Sequence, residues 1–253
     1  MKTRLYKTLL VLIGFTLATA SCKKADNGPA ISNDEAANSI GDVLAVDVSG
    51  SASDASSVSA RDASNAGGRI ISSGRTLSSS CDIQKDTTLT RASAAGALIT
   101  YSYTGTYTYT LACTGFIPSS LVLSLSTSGS RTGTQVFSTG TGTGSYTLTG
   151  FAVSQNNYAL NGTFTRDETI TEIVGQKSFT GTTVFIITDV TIDKTTKIIQ
   201  GGTATFTMSG TVTNGAAYAH SGTITFNGNS SATLTVNGNS YTVNLTTGVV
   251  TKM

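Results

Sequence analysis

The chain is poor in charge, histidine, cysteine and proline, and each shortage removes a class of function. Charged residues are 12% of its 253 residues, about half the usual globular share. Three of the sixteen basic residues and none of the fourteen acidic ones precede Cys22, so the remainder carries thirteen against fourteen. A nearly neutral body has no electrostatic footprint for nucleic acid. His220 is the only histidine, which leaves Ser-His-Asp and Cys-His constellations poorly supplied. Three cysteines without a Cys-x-x-Cys pair give no zinc spacing. No phosphate loop and no Gly-x-Gly-x-x-Gly opening a helix is present, and no cofactor is implied. The apolar run Leu9–Ala18 is too short to span a bilayer.

What is abundant is threonine, serine and glycine in alternation with large apolar residues. In Thr100–Leu111, TYSYTGTYTYTL, the tyrosines and Gly105 share one parity and the hydroxyls the other. Strand side chains alternate faces, so this reads as one long strand with an aromatic face and a hydroxyl face. A second pattern, large-x-large-x-Gly-x-large, recurs at Tyr101–Tyr107, Tyr158–Phe164, Phe206–Val212 and Tyr218–Ile224, and in part at Tyr146–Gly150. Glycine inside a strand marks a bend, a bulge or a close approach. Aligned across strands, these glycines predict a crease where the sheet curves or a helix backs onto it. Further strands are expected at Leu121–Leu125, Thr180–Ile192, Lys197–Thr213, Ala232–Val236 and Ser240–Leu245. Asn237-Gly238-Asn239 is a strong hairpin signal. Arg166-Asp167-Glu168 reads as a charged hairpin tip, and Ser126–Gly144 as a loop with one strand.

Before the strands, Ser32-Asn33-Asp34-Glu35 fits a capping box, with Ile31 and Ala36 as a staple. Ala36, Ala37, Ile40, Val43 and Leu44 form an apolar stripe over 33–46, which Gly41 weakens. Residues 48–68 are Ser, Ala, Asp and Gly almost throughout. They read as solvated polar sequence with a partial helix over Asp54–Ser64. A calcium loop there would lack its acidic twelfth ligand. The fold class is therefore mainly β: an N-terminal helix packed on a large curved antiparallel meander sheet or open barrel of about ten to twelve strands.

Residues 1–21 have the form of an export signal, with Lys2, Arg4 and Lys7 before the apolar run and small residues after it. The segment LATASC, ending at Cys22, resembles a bacterial lipobox, with Thr19 where Leu or Val is usual. That resemblance implies acylation of the Cys22 sulfur and cleavage before it. The alternative is an ordinary secretory signal cut near Ala20. Two or three acyl chains anchor durably, at about 0.8 kcal/mol per buried methylene. The start SCKK at 21–24, DEAA at 34–37, Cys81 with YSYTGTY and LAC, YALNGTFTR at 158–166, KSFTGT at 177–182 and SGTITFNGNSSATLTVNGNSYTVNL at 221–245 together resemble uncharacterised Bacteroidota outer-membrane lipoproteins. The resemblance covers nearly the whole mature chain and implies architecture and location, not activity. The organisation expected is a lipoprotein signal (1–21), a lipidated tether (22–30), a helical preface (31–68) and an antiparallel β domain (69–253). The membrane is the partner, through the anchor, and the residues name no protein or glycan.

Export into an oxidising compartment leaves Cys81 and Cys113 as a pair. A disulfide is expected there, since a metal or catalytic thiol lacks nearby partners. His220 falls on an apolar face as a packed core histidine. Glu168 with Glu172, and Asp189 with Asp193, are the carboxylate pairs available, and like charges on one strand face read more simply as a solvated edge. The threonine ladders could order water or meet a flat polar surface such as glycan, though threonine is also simply a good solvent-face residue. The expected function is non-enzymatic: a structural, adhesive or assembly lipoprotein. The alternative is a carrier holding a hydrophobic ligand on the apolar concave face, at Tyr101, Tyr103, Tyr158, Leu160, Phe206 and Met208. A dry core filled by the helix favours the first reading, and an open apolar concavity the second.

Overall fold

The computed structural model describes residues 30–64, 81–115 and 117–253. The export signal and Cys22 lie outside them, as do residues 65–80 of the preface and the sheet entry. One helical run and one sheet make up the fold. Helix α1 (Asn33–Val43) passes through a π-helical turn (Leu44–Val48) into α2 (Ser49–Ala63). The strands are β1 (Gln84–Ala92), β2 (Thr100–Thr114), β3 (Ile117–Thr132), β4 (Val136–Thr149), β5 (Asn157–Glu172), β6 (Ser178–Asp193), β7 (Ile199–Val212), β8 (Ala217–Gly228), β9 (Ser231–Val236), β10 (Asn239–Asn244) and β11 (Val250–Lys252). All eleven form one antiparallel sheet in sequential order, curved but not closed. This is the mainly β architecture the alternation predicts.

Parity decides which side of each strand is dry. In β2, Tyr103, Gly105, Tyr107, Tyr109 and Leu111 are buried, while Ser102, Thr104 and Thr106 are exposed. Each large side chain taken out of water contributes about 1.5–3 kcal/mol, and every central strand repeats the pattern. Asn237 and Gly238, with φ of 45° and 86°, close the β9–β10 hairpin as the sequence signals. Both centre residues have positive φ, as a two-residue hairpin turn requires.

The glycines of the repeat do not align as expected: Gly105, Gly162, Gly210 and Gly222 sit opposite Thr127, Tyr146, Gly181 and Phe206, in four different rows, and only Gly210 belongs to a row rich in glycine. Tyr103, Gly129, Gly140, Glu168, Gly181, Gly210 and Tyr218 are successive cross-strand partners, forming one transverse row from β2 to β8. In and around this row, aromatic rings lie over glycine. Tyr103 faces Gly129, Tyr146 faces Gly162, Phe206 faces Gly222 and Tyr218 faces Gly210. A Cβ on Gly222 would stand 1.7 Å from the Thr235 carbonyl and 2.8 Å from the Phe206 ring. The rings of Tyr103, Tyr146 and Phe206 thus pack against glycines on the neighbouring strand, where a side chain would collide with them.

Three sequence expectations fail, all for one reason. Residues 49–63 are not solvated: Ser51, Ala52, Asp54, Ala55, Ser56, Val58, Ser59 and Asp62 are buried in α2. Arg166-Asp167-Glu168 is no hairpin tip but lies inside β5, whose turn comes at 173–177. Ser126–Gly144 is no loop: β3 and β4 run through it, with a turn at 133–135. In each case, small or charged residues that normally face water here face a helix enclosed by the sheet. An eleven-stranded curve is wide enough to hold a helix, but only a slim one. That accounts for the Ala, Ser and Gly around α2. Gly41, read from sequence as a weakness, is required, since a Cβ there would lie 2.3 Å from Val250.

Candidate functional site

The concave face is the place the sequence nominates, and its residues are where parity puts them. Tyr103, Tyr158, Leu160, Phe206 and Met208 are all buried, and Tyr101 is half-buried. The helix occupies the space in front of them. Between Ser39 and Ser59 it is buried except along a narrow line through Ala45, Ser49, Ser53 and Ser57. The capping box forms as predicted: the Glu35 amide donates to Ser32 Oγ at 3.2 Å, and the Ser32 amide donates to Glu35 Oε2 at 2.6 Å.

Carboxylates fix the helix in place. Glu35 and Asp42, then Asp47, Asp54 and Asp62, recur at about two-turn spacing and face the sheet. Glu35 pairs with Lys177, Asp54 with Arg91 at 3.2 Å, and Asp62 with Lys85 at 3.1 Å. Tyr107 donates its hydroxyl to Asp54 at 2.5 Å. At the helix start, Tyr241 and Lys252 donate to Asp34 at 2.5 Å and 3.0 Å.

The centre of this arrangement is a closed ring of four charges. Asp47, within the π-helical turn, accepts from Arg131 Nη1 at 3.0 Å and Arg166 Nη1 at 3.3 Å. Arg131 Nη2 donates to Glu168 Oε2 at 2.6 Å, and Arg166 Nε lies 3.6 Å from the same oxygen. All four side chains are 1% exposed. Neighbouring inward positions are small (Gly129, Gly140, Gly142 and Ser138), which gives two long arginines room. Burial disfavours the Arg131 charge, but Glu168 and Asp47 outweigh it and raise its pKa. Beside the ring, burial pushes Asp42 up to about 7, with Glu168 adding to the rise and Arg131 opposing it. The ring is already neutral, so a fifth charge has no partner. Buried ion pairs add little net stability but penalise every misaligned arrangement. This ring therefore sets the height and rotation of the helix.

The structure separates the carboxylate pairs that the sequence offers, and the solvated edge read for Glu168 and Glu172 fails at Glu168, whose side chain is 1% exposed. Glu168 belongs to the ring, whereas Glu172 sits with Glu35 and Lys177. Burial and the nearby Glu35 raise Glu172 to about 7. Against the cost of burial, hydrogen bonds from Glu172, Lys177 and Ser32 hold Glu35 down at about 2. Asp189 exchanges hydrogen bonds with Asn161, and Asp193 caps its own turn by accepting from Thr195 and Thr196. His220 lies 3.2 Å from Asn33 and 3.0 Å from Asn237 through Nδ1, and burial lowers its pKa. It ties the helix start to the β9–β10 turn. Cys81 and Cys113 form the expected disulfide, with Cα atoms 5.6 Å apart. It links the sheet entry to the end of β2.

Compared with protein-family models, curated proteins and solved structures, the chain matches none. Among the described residues no group of three His, Cys, Asp or Glu could hold a metal ion, and no helix is long and apolar enough to cross a membrane. The ring is what reading by sequence missed. Its signal was present: Arg131 shares parity with Leu121, Leu123 and Leu125, and Arg166 with Phe164.

Proposed function

We propose that this is a non-enzymatic lipoprotein of the bacterial outer membrane, anchored through an acylated Cys22, with a structural, adhesive or assembly role. The observation that supports this reading is the helix lodged in the concave face. The apolar residues that would have held a hydrophobic ligand are spent on packing against it, and charged groups lock it in register. A carrier on that face would have to expel some thirty residues of helix and break a buried ring. The outer face offers hydroxyls, suited to persisting in water or meeting another polar surface. Residues 22–30 would reach at most about 30 Å, holding the helix-start end of the sheet close to the bilayer.

Fractionation of cells expressing Cys22→Ala tests the anchor. The variant is expected in the soluble periplasmic fraction, and continued membrane retention would refute the anchor. Protease treatment of intact cells then decides which face of the membrane the body occupies. Crosslinking and pull-down from those cells tests for an assembly partner.

A further inference from the structure

One end of the sheet leaves a window onto the helix, between Arg91 of β1 and the turns that follow β6, β8 and β10, and it has a chemistry that the packed concave face lacks. A cavity of about 370 Å³ lies there, floored by the middle of the helix at Ser49 and Ser53. That volume is within the range of small-molecule sites. Val46, Ile199 and Leu245 form an apolar wall and are otherwise buried. Arg91 and Lys197 also line it, and no carboxylate does.

Arg91 is held from three sides. Its Nε lies 3.2 Å from Asp54, its guanidinium is 5.1 Å from the Tyr103 ring centroid, and it rests where a Gly50 side chain would be, 1.6 Å from that missing Cβ. A guanidinium fixed before a ligand arrives loses little entropy on binding one. Its side chain remains 22% exposed. Arg91 shares Asp54 with the Tyr107 hydroxyl, and Asp193 accepts from the backbone of its own turn, so two cations at the window face one carboxylate.

From these observations we infer that this window binds a single-chain amphiphilic carboxylate, its head group between Arg91 and Lys197 and its chain along Val46, Ile199 and Leu245. Charge selects the head, and the dry wall selects the chain. This site lies at the margin of the concave face, sharing Tyr101 with it, and does not depend on how the protein is anchored.

Titration calorimetry on the full chain carrying Cys22→Ser tests it, with decanoate, decanol and decyltrimethylammonium as probes. Decanoate is expected to bind saturably, at least tenfold tighter than either of the others. Lys197→Gln should weaken it several-fold. Ser53→Trp, which fills the window from a half-open helix position, should abolish binding while leaving the melting temperature within a few degrees. No saturable decanoate binding, equal affinity for decanol, or undiminished binding by a folded Ser53→Trp variant would each overturn the assignment. None of these outcomes bears on the membrane anchor, which fractionation tests by itself.

Discussion

Replacing Asp42 by asparagine should make the protein more stable at alkaline pH and change little in acid. Asp42 is 4% exposed beside a ring whose two arginines are already matched, and burial raises its pKa from 3.8 to about 7. The native state thus holds this proton over a range where the unfolded chain has released it. Stability from this group is fully present below about pH 4, falls as pH rises, and is lost above about 7. Three pH units at 1.36 kcal/mol each put the loss at about 4 kcal/mol as a ceiling. Asparagine keeps the shape and cannot ionise. Urea melts of both proteins at pH 4, 6 and 8.5 isolate the effect, because Glu35 and Glu172 titrate in both and cancel in the difference. The gap should be within about 1 kcal/mol at pH 4 and reach about 2–4 kcal/mol in favour of the variant at pH 8.5. A pH-independent gap, or one favouring wild type in alkali, would show that Asp42 does not carry this proton.

Three further outcomes follow from the same packing. Asp47→Ala strands two buried arginines against one carboxylate and should cost about 3–5 kcal/mol in denaturant melts; a loss below 1 kcal/mol would remove the ring as the helix's lock. Cys81→Ser with Cys113→Ser opens a crosslink spanning 32 positions and should lower stability by about 3–4 kcal/mol, with reductant reproducing the effect in wild type only. Gly222→Ala should be severely destabilising, because its methyl would overlap the Thr235 carbonyl. Near-native melting of that variant would contradict the close ring-on-glycine packing.

The sheet was legible because its signal is local. Alternation at period 2 in Thr100–Leu111 needs no knowledge of distant residues, nor does Asn237-Gly238. The helix interior was not legible, because composition was read as if its surroundings were water. Ser51, Ser56 and Ser59 look like surface until a sheet encloses them, and then their small size is the point. Arg131 and Glu168 carried an inward parity, but Arg131 fell in a Thr- and Gly-rich stretch read as a loop and Glu168 in a charged triplet read as a hairpin tip. Only the topology brings them to Asp47, 84 positions from Arg131.

The purely sequential strand order constrains how the molecule is assembled. The helix emerges first, yet the residues that clasp its start, Tyr241 and Lys252 on Asp34, emerge last. Until β9–β11 arrive, the acidic rod lacks the last three of the eleven strands of its sleeve, and the charges and apolar flank at its start stay open to passing chaperones. A nascent chain stalled or clipped before residue 239 would therefore be a protein with a loose bolt, recognisable to quality control even though most of its ribbon is already woven.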